Sequence, residues 1–494
     1  MRLFDILKWN KSRGHRAPLY FYNTLTGQQD LFTLPARAHT VRMYNCGPTV
    51  YGVQHIGNLS MFVFTDVLRR TLEYNNFKVK QVINITDFGH LTSDADDGED
   101  KMTKGLKREK MSLTMENMVL LAEKYTVQFI EDLQKLNIDT TTIDFPRASA
   151  YVKAQIAMIQ TLVEKSYAYP TPHGVYFDTS CLSDYGKLGG IDMTGQKEGA
   201  RVAVNPDKRH PHDFVLWKHD AKLGWESPWG MGFPGWHIEC SAMIRSILGQ
   251  QIDIHTGGIE HIPIHHNNEI AQSESATGKK PFSRFWMHRA HIQIDGGKIA
   301  KSVGNVVYLS DLSLQQYHPL ALRYLFLGAH YRTASNFSWE ALGASQTAYA
   351  RLVAICTHHK DIVPGTVSAL WRSRFVERIN DDLDTPGAIA VLWEMIKDKT
   401  LSPEDLLAGI LDFDRVLGLR LGSPDTDAEK LALKELKEEI ALNDLSIDVR
   451  TRIEKREQAR RDRSWDHADV LRKEIEDLGY LIEDSKDTIR VFKK

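Results

Sequence analysis

Four residues of this chain, Cys46, Cys240, His265 and Glu269, carry side chains suited to holding a divalent cation. Two thiolates, an imidazole nitrogen and a carboxylate oxygen make a tetrahedral donor set of the kind Zn²⁺ takes. His265 and Glu269 stand four apart on a segment that reads as helix, so both project from one face. Nothing local joins Cys46 to Cys240, which lie in opposite halves of the chain. Spacing alone favours the plainer reading, in which scattered cysteines are small buried hydrophobes, and His255, His261 and His266 compete as ligands.

A second group of residues is suited to phosphate. Val41–Asn45 reads as the end of a buried strand, Gly47-Pro48 and Gly52 as turn formers, and a helix opens near His55. That helix shows Met61, Phe64, Val67, Leu68 and Leu72 at helical spacing. Strand, glycine-bearing turn and helix N-terminus is how a doubly wound α/β fold aims backbone N–H groups at a phosphate. Gly57 lets a flat ring lie against the backbone, and His55 can donate to a phosphate oxygen. Far downstream, Lys298-Ile299-Ala300-Lys301-Ser302 offers two cations.

Composition bounds the alternatives. With 494 residues the chain calls for two to four domains. Lys plus Arg total 62 against 64 for Asp plus Glu, so a polyanion must be met by a local patch, not by the whole-chain field. Four cysteines (Cys46, Cys181, Cys240, Cys356) are too few and too scattered for a disulfide framework. They point to a reducing, cytoplasmic compartment, with Cys181 and Cys356 as packing residues. No apolar run reaches membrane-spanning length. The basic first sixteen residues have the look of a transit peptide, but Asp5 argues against a secretory signal, and a loose extension over 1–17 is expected.

The positioning elements follow in order. Leu19–Tyr22 reads as strand and Asn23–Gly27 as turn; Lys78–Asp87 is the next parallel strand, ending in polar residues. The charged stretch 93–110 reads as the solvated start of an insertion reaching about residue 205, with Met115–Leu136 a long amphipathic helix. The second half resumes near Asp213, runs through Gln251–His255 as strand and turns at Gly257-Gly258. After Lys301 the pattern stays helical: Leu320–Leu327, Trp339–His358, Ser368–Asp381, Pro386–Ile396 and Pro403–Leu417 form a bundle. Gly422–Asp427 is a linker by composition, and 430–494 a small basic module containing Arg450, Arg452, Lys455, Arg456, Arg460, Arg461, Arg463 and Trp465.

His55-Ile56-Gly57-Asn58 and Lys298–Ser302 together resemble the paired ATP signatures of class I aminoacyl-tRNA synthetases. Cys46-Gly47-Pro48-Thr49-Val50-Tyr51, Gly235–Met243 and His265–Ser273 resemble the cysteinyl-tRNA synthetase family, as do Asn84–Asp87, Asp381–Pro386 and the basic tail. The resemblance implies an α/β fold: a Rossmann-type parallel-sheet catalytic domain over 18–310, split by the insertion at about 93–205. A helical stem-contact bundle over 311–425 and an anticodon-binding module over 430–494 would follow. It implies Zn²⁺ on Cys46, Cys240, His265 and Glu269, and ATP with Mg²⁺ on His55, Gly57, Asn58, Lys298 and Lys301. Thr49, Thr86 and Trp236 would line the cysteine-adenylate pocket, with His237 and His255 orienting ligands from behind. The implied partners are L-cysteine, ATP and tRNA(Cys), met by a monomer.

The sequence departs from the family pattern where Asn58 stands in place of a second histidine and Ile299-Ala300 in place of Met-Ser. These substitutions keep a hydrogen-bond donor and both lysines, so slower turnover is expected, not loss of activity. Two other functions compete: a tRNA-independent ligase joining cysteine to an amino sugar, and a non-catalytic RNA-binding paralogue. The tail module speaks against the first and the intact chemical residues against the second.

Overall fold

The computed structural model describes residues 17–35, 38–89, 101–190, 207–294, 297–298, 306–435, 439–484 and 489–493. Residues up to Gln346 together with Val363–Arg420 make one compact unit, and Thr347–Ile362 with the residues from Leu421 onward make another.

In the first unit, β1 (Tyr20–Asn23) and β2 (Gln28–Leu31) close a hairpin over the expected turn, with Gly27 at φ 71°. β3 (Thr40–Asn45), α1 (Ile56–Tyr74) and β4 (Lys78–Ile83) form a β–α–β unit in which both strands run parallel. The described part of the charged stretch is not a solvated loop. Lys101–Arg108 is helix α2, with Met102, Gly105 and Leu106 buried, because its apolar residues recur at helical spacing between the cations. Residues 93–100 lie outside the described residues. α3 (Met115–Lys135) follows, its first turn capped by the Thr114 hydroxyl, which accepts from the Asn117 N–H, and then β5 (Ile143–Asp144). α4 (Val152–Glu164) leads into an antiparallel sheet of β6 (Ala168–Thr171), β7 (Gly174–Phe177), β8 (Phe214–His219) and β9 (Gly232–Pro234). Cys181, expected as a packing residue, is exposed beside this sheet, while Cys356 is buried.

From that sheet the chain enters α5 (Trp236–Ile247), β10 (Ile252–Gly258), α6 (Asn267–Thr277) and β11 (Ser283–Arg289). The expected turn at Gly257-Gly258 is instead the end of β10, where Gly257 pairs with His288 and Gly258 with Arg289. The parallel sheet runs in the order β11-β10-β3-β4-β5. The chain leaves β3 toward β4 and β5, then returns to lay β10 on the other side. This puts a topological switch point between β3 and β10, where open α/β sheets bind ligands beyond the carboxyl ends of their strands.

After β12 (Ile292–Ile294), β13 (Gly297–Lys298) and the unforeseen α7 (Leu309–Leu314), helices α8 (Pro319–Leu327), α9 (Trp339–His358), α10 (Ala369–Asn380), α11 (Thr385–Ile396) and α12 (Pro403–Leu417) match the helical stretches read from the sequence, while the short strand β14 (Ser335–Phe337) interrupts the expected helical run. Arg323 on α8 is fully buried. Its Nη2 donates to Asp66 Oδ2 on α1 at 2.6 Å, its Nε to Leu417 O at 2.7 Å and its Nη1 to Leu136 O at 2.9 Å. One guanidinium therefore satisfies a buried carboxylate and the C-terminal carbonyls of two helices, α3 and α12.

The second unit contains α13 (Thr426–Glu435), β15 (Glu439–Ile440), α14 (Ile447–Arg461), α15 (Trp465–Asp477), β16 (Tyr480–Asp484) and β17 (Ile489–Lys493). The three strands form an antiparallel sheet in the order β15-β17-β16, and α14 packs along α15. Part of the tail's positive charge is spent internally, since Arg452, Arg456 and Arg460 all pair with carboxylates of the module. Arg456 is buried and grips both oxygens of Asp484 at 2.8 Å, so it is a structural cation and not a surface one. Trp465 stays 58% exposed.

Candidate metal centre and nucleotide site

β3 delivers Cys46 to the carboxyl edge of the sheet, and the Cys46 N–H is held by Thr256 O of β10 at 3.1 Å. Gly47 follows because nothing larger fits: a Cβ there would sit 1.6 Å from Asn84 O. Gly47→Ala is expected to cost at least about 3 kcal/mol by overpacking against backbone that has nowhere to move. Urea denaturation measures it.

Cys240 lies one turn inside α5, and His265 lies within a π-helical turn, Ile262–His266, directly before α6. π turns are uncommon and recur at functional sites, since they re-aim side chains. With Glu269 on α6, this brings one donor atom each from Cys46, Cys240, His265 and Glu269 within 4.8 Å of one another, all four buried. The rival histidines are close as well. Cys46, His255, His266 and Glu269 form a second set within the same limit. Gly257 makes room for these rings, since a Cβ there would meet His266 Cε1 at 2.5 Å.

Hydrogen bonding distinguishes the two sets. His266 Nε2 lies 3.2 Å from Cys46 Sγ, its Nδ1 is 2.8 Å from His288 Nε2, and His288 Nδ1 is 2.7 Å from Thr24 Oγ1. With Cys46 as a metal-bound thiolate, one proton assignment satisfies the whole chain: the Thr24 hydroxyl donates to His288, His288 to His266 and His266 to the Cys46 sulfur, the reverse of the order a Cys46 thiol would set. His266 is then a donor supporting a thiolate from behind, and His255 Nε2 serves Glu269 Oε2 in the same way at 2.9 Å. His237 lies behind His265, with the two Nδ1 atoms 2.9 Å apart. His237 and His255 were expected in these supporting positions. His288 and Thr24 were not, and the available signal was that His288 shares a strand face with Trp286. His288→Phe is expected to weaken metal affinity 10- to 100-fold, read by chelator competition, because partners behind a ligand typically carry that much.

The electrostatics call for a cation. Burial, with Cys240 and Glu269 nearby, pushes the Cys46 thiol well above its usual range. The hydrogen bond from Cys46 lowers Cys240 despite its burial. Burial pushes the Glu269 carboxyl up, but His255 and His265 outweigh it and hold it down at about 2. His265, disfavoured as a cation by burial, is raised to about 10 by Cys240 and Glu269. Buried thiolate and carboxylate thus gather positive charge around them, and a soft divalent ion at this point suits them better than a proton. The donor set fits Zn²⁺.

Of the residues expected to meet nucleotide or adenylate, several sit along the same edge. His55 is the N-cap of α1, and its Nδ1 accepts from the Asn58 N–H at 3.2 Å. That bond leaves the proton of the neutral ring on Nε2. Gly57 is half-buried in the first turn, and the Asn58 side chain is exposed. Thr49 and Thr86 are joined by a β-bridge, and the Thr86 hydroxyl donates to Glu239 Oε2 at 2.8 Å. Trp236 is half-buried, its ring 4.5 Å from that of His265, with Lys101 Nζ 5.0 Å over its face. It walls the cluster and is not a core aromatic. Lys298 is described only as backbone, pairing with Gln293 in β13, and Lys301 lies outside the described residues.

Residues 32–347 match the class I (C) tRNA synthetase catalytic domain, and residues 442–491 match the cysteinyl-tRNA ligase anticodon binding domain. A cysteine–tRNA ligase 1 from Burkholderia lata is 44% identical over 481 residues, covering 96% of this chain and 97% of that protein. Cysteine–tRNA ligases from Treponema denticola and Thermus thermophilus are 36% and 38% identical, each covering at least 94% of this chain and 98% of the relative. In fold the chain is similar to a Mycobacterium tuberculosis methionyl-tRNA synthetase, with a TM-score of 0.52 at 13% identity over 80% of this chain and 93% of the other. Near-complete coverage at this identity leaves one conclusion: the chain belongs to the cysteine–tRNA ligase family of class I aminoacyl-tRNA synthetases.

Proposed function

We propose that this chain joins L-cysteine to tRNA(Cys) in two steps, forming cysteinyl-adenylate from ATP and then passing the cysteinyl group to the terminal adenosine of the tRNA. The observation that carries the reading is the meeting of Cys46, Cys240, His265 and Glu269 in one buried cluster on the edge that also bears the N-terminus of α1.

Selection is the central physical problem. Cysteine and serine differ by one atom, and a pocket that chooses by shape gains about 1–3 kcal/mol. A Zn²⁺ ion bound by the four residues supplies a soft Lewis acid that prefers thiolate to hydroxyl by far more. Trp236, packed on His265, keeps water from the cluster. Thr49 and Thr86 orient the amino acid so that its carboxylate faces the α-phosphorus of ATP, which arrives with Mg²⁺. As that carboxylate attacks, negative charge grows on the phosphate oxygens. The His55 Nε2–H, the first turn of α1, the Asn58 amide, Lys298 and Lys301 stabilise it without covalent catalysis. The stretch 18–310 acts as the catalytic domain and 311–425 as the stem contact. The 430–494 module offers the exposed Trp465 for stacking on unpaired anticodon bases. The enzyme works as a cytoplasmic monomer. No described helix is long and apolar enough to cross a membrane.

The test is charging of total tRNA with cysteine and with serine, with metal quantified in the same preparation. Cysteinylation with about one zinc per chain, and serine rejected by at least about a thousandfold, is the expected outcome for a metal-selected substrate. Charging of an amino sugar without tRNA would overturn it.

A further inference from the structure

Phe285, Met287 and Arg289 alternate along β11, so they share the face that packs on α1. The first two are core residues. The third is a cation at an equally buried position, 5% exposed at the carboxyl end of the strand. Its Nε donates to Ser60 Oγ at 2.9 Å, and Ser60 Oγ in turn donates to Gly57 O at 2.7 Å, which places the guanidinium against the first turns of α1. The centre of the Phe326 ring lies 5.7 Å from its Cζ. Among the described residues, no carboxylate or carbonyl meets Nη1 or Nη2.

Arg323, the most deeply enclosed of the buried arginines among the described residues, shows the contrast. Arg323 has a carboxylate and two helix-terminal carbonyls for its three nitrogens. Burial alone acts on Arg289, lowering it to about 10, with no neighbouring charge to offset the cost. An uncompensated buried charge costs several kcal/mol, and a fold keeps one where an incoming group of opposite sign relieves it.

We propose that Arg289 is an ATP-phosphate ligand, its free Nη1 and Nη2 reaching the polyphosphate that docks on the N-terminus of α1. This rests on the nucleotide reading above and extends it to a residue outside both ATP signatures. The planar fork suits two phosphate oxygens at once, and the bond to Ser60 fixes its orientation before the nucleotide arrives. Arg289 also supplies a permanent charge in a site where Asn58 provides none.

The experiment is cysteine-dependent ATP–pyrophosphate exchange on the full chain carrying Arg289→Met or Arg289→Lys, with direct binding of ATP and of adenosine to the same proteins. For Arg289→Met the KM for ATP should rise at least tenfold and the KM for cysteine stay within about twofold, while adenosine binds as before. Arg289→Lys should recover part of the ATP affinity, as a point charge without the fork. An unchanged ATP KM in the Met variant overturns the proposal, as does equal weakening of ATP and adenosine. Wild-type protein that fails to exchange pyrophosphate with cysteine overturns the underlying nucleotide reading instead, so the two failures are distinguishable. Should the Met variant not fold, the Lys variant carries the test through its ATP-to-adenosine affinity ratio.

Discussion

Cys240→Ser is expected to leave the protein folded, to drop its zinc content below about a tenth of an ion per chain, and to lower kcat/KM for cysteine activation by at least about a thousandfold. Partners behind a metal ligand are already worth 10- to 100-fold, and Cys240 is a ligand candidate itself. The hydroxyl of serine is a poor donor to a soft ion at neutral pH, because it does not ionise as a thiol does. The fold should survive because the exchange is nearly isosteric and α5 is held by its apolar face, including Ile238, Met243 and Ile244. Metal analysis, circular dichroism and pyrophosphate exchange on one preparation separate the three claims. A variant that keeps zinc and activity would shift the donor set to Cys46, His255, His266 and Glu269, the alternative cluster.

Arg323→Met should destabilise the catalytic unit by about 3–5 kcal/mol, the cost of removing one partner from a buried ion pair. The variant leaves the Asp66 carboxylate with Arg70 as its remaining cation, and strands Leu136 O and Leu417 O at the ends of α3 and α12. Burial alone would push Asp66 up, but Arg323 and Arg70 outweigh it and hold the carboxyl below its ordinary value. A carboxyl depressed in the folded state contributes stability above its unfolded pKa and loses it as pH falls through the folded one. The wild type should therefore outlast Arg323→Met most clearly at neutral pH, with the gap closing in acid. Adding Asp66→Asn to Arg323→Met should recover part of the loss, since the buried carboxylate is then gone and the Arg70 side chain it leaves behind is partly exposed. Urea midpoints at neutral and acidic pH measure both effects. The same node explains Gly418: its φ of 65° disfavours other residues, and a Cβ there would meet Arg323 Nη2 at 2.4 Å.

Much of the architecture could be read from residue order. The apolar spacing of α1, α3, α9 and α12 is local, and it fixed those helices to within a residue or two. The charged segment 101–108 was misread, because its few apolar residues are outnumbered by lysines although they set the helix face. Gly257-Gly258 was misread as a turn because glycine signals turns and close approaches alike, and only the neighbouring rings tell them apart. Arg456 counts by sequence as one more cation of the basic tail, and only the fold sets Asp484, 28 positions away, against it. The exposed Cys181 was misjudged for the same reason: burial of a lone cysteine is set by what folds over it.

The sequence by itself determined which chemistries were on offer, namely thiolate, imidazole and carboxylate for a metal, and a helix start with lysines for phosphate. Side-chain type is a local property, and helical period makes four-apart neighbours such as His265 and Glu269 legible. Only the tertiary structure decided that Cys46 and Cys240 meet, because parallel pairing of β3 with β10 and the packing of α5 close a loop of nearly two hundred residues that no local pattern encodes. It also decided that His266 supports a sulfur, that Arg323 is satisfied and that Arg289 is not, since each outcome depends on groups arriving from distant strands and helices.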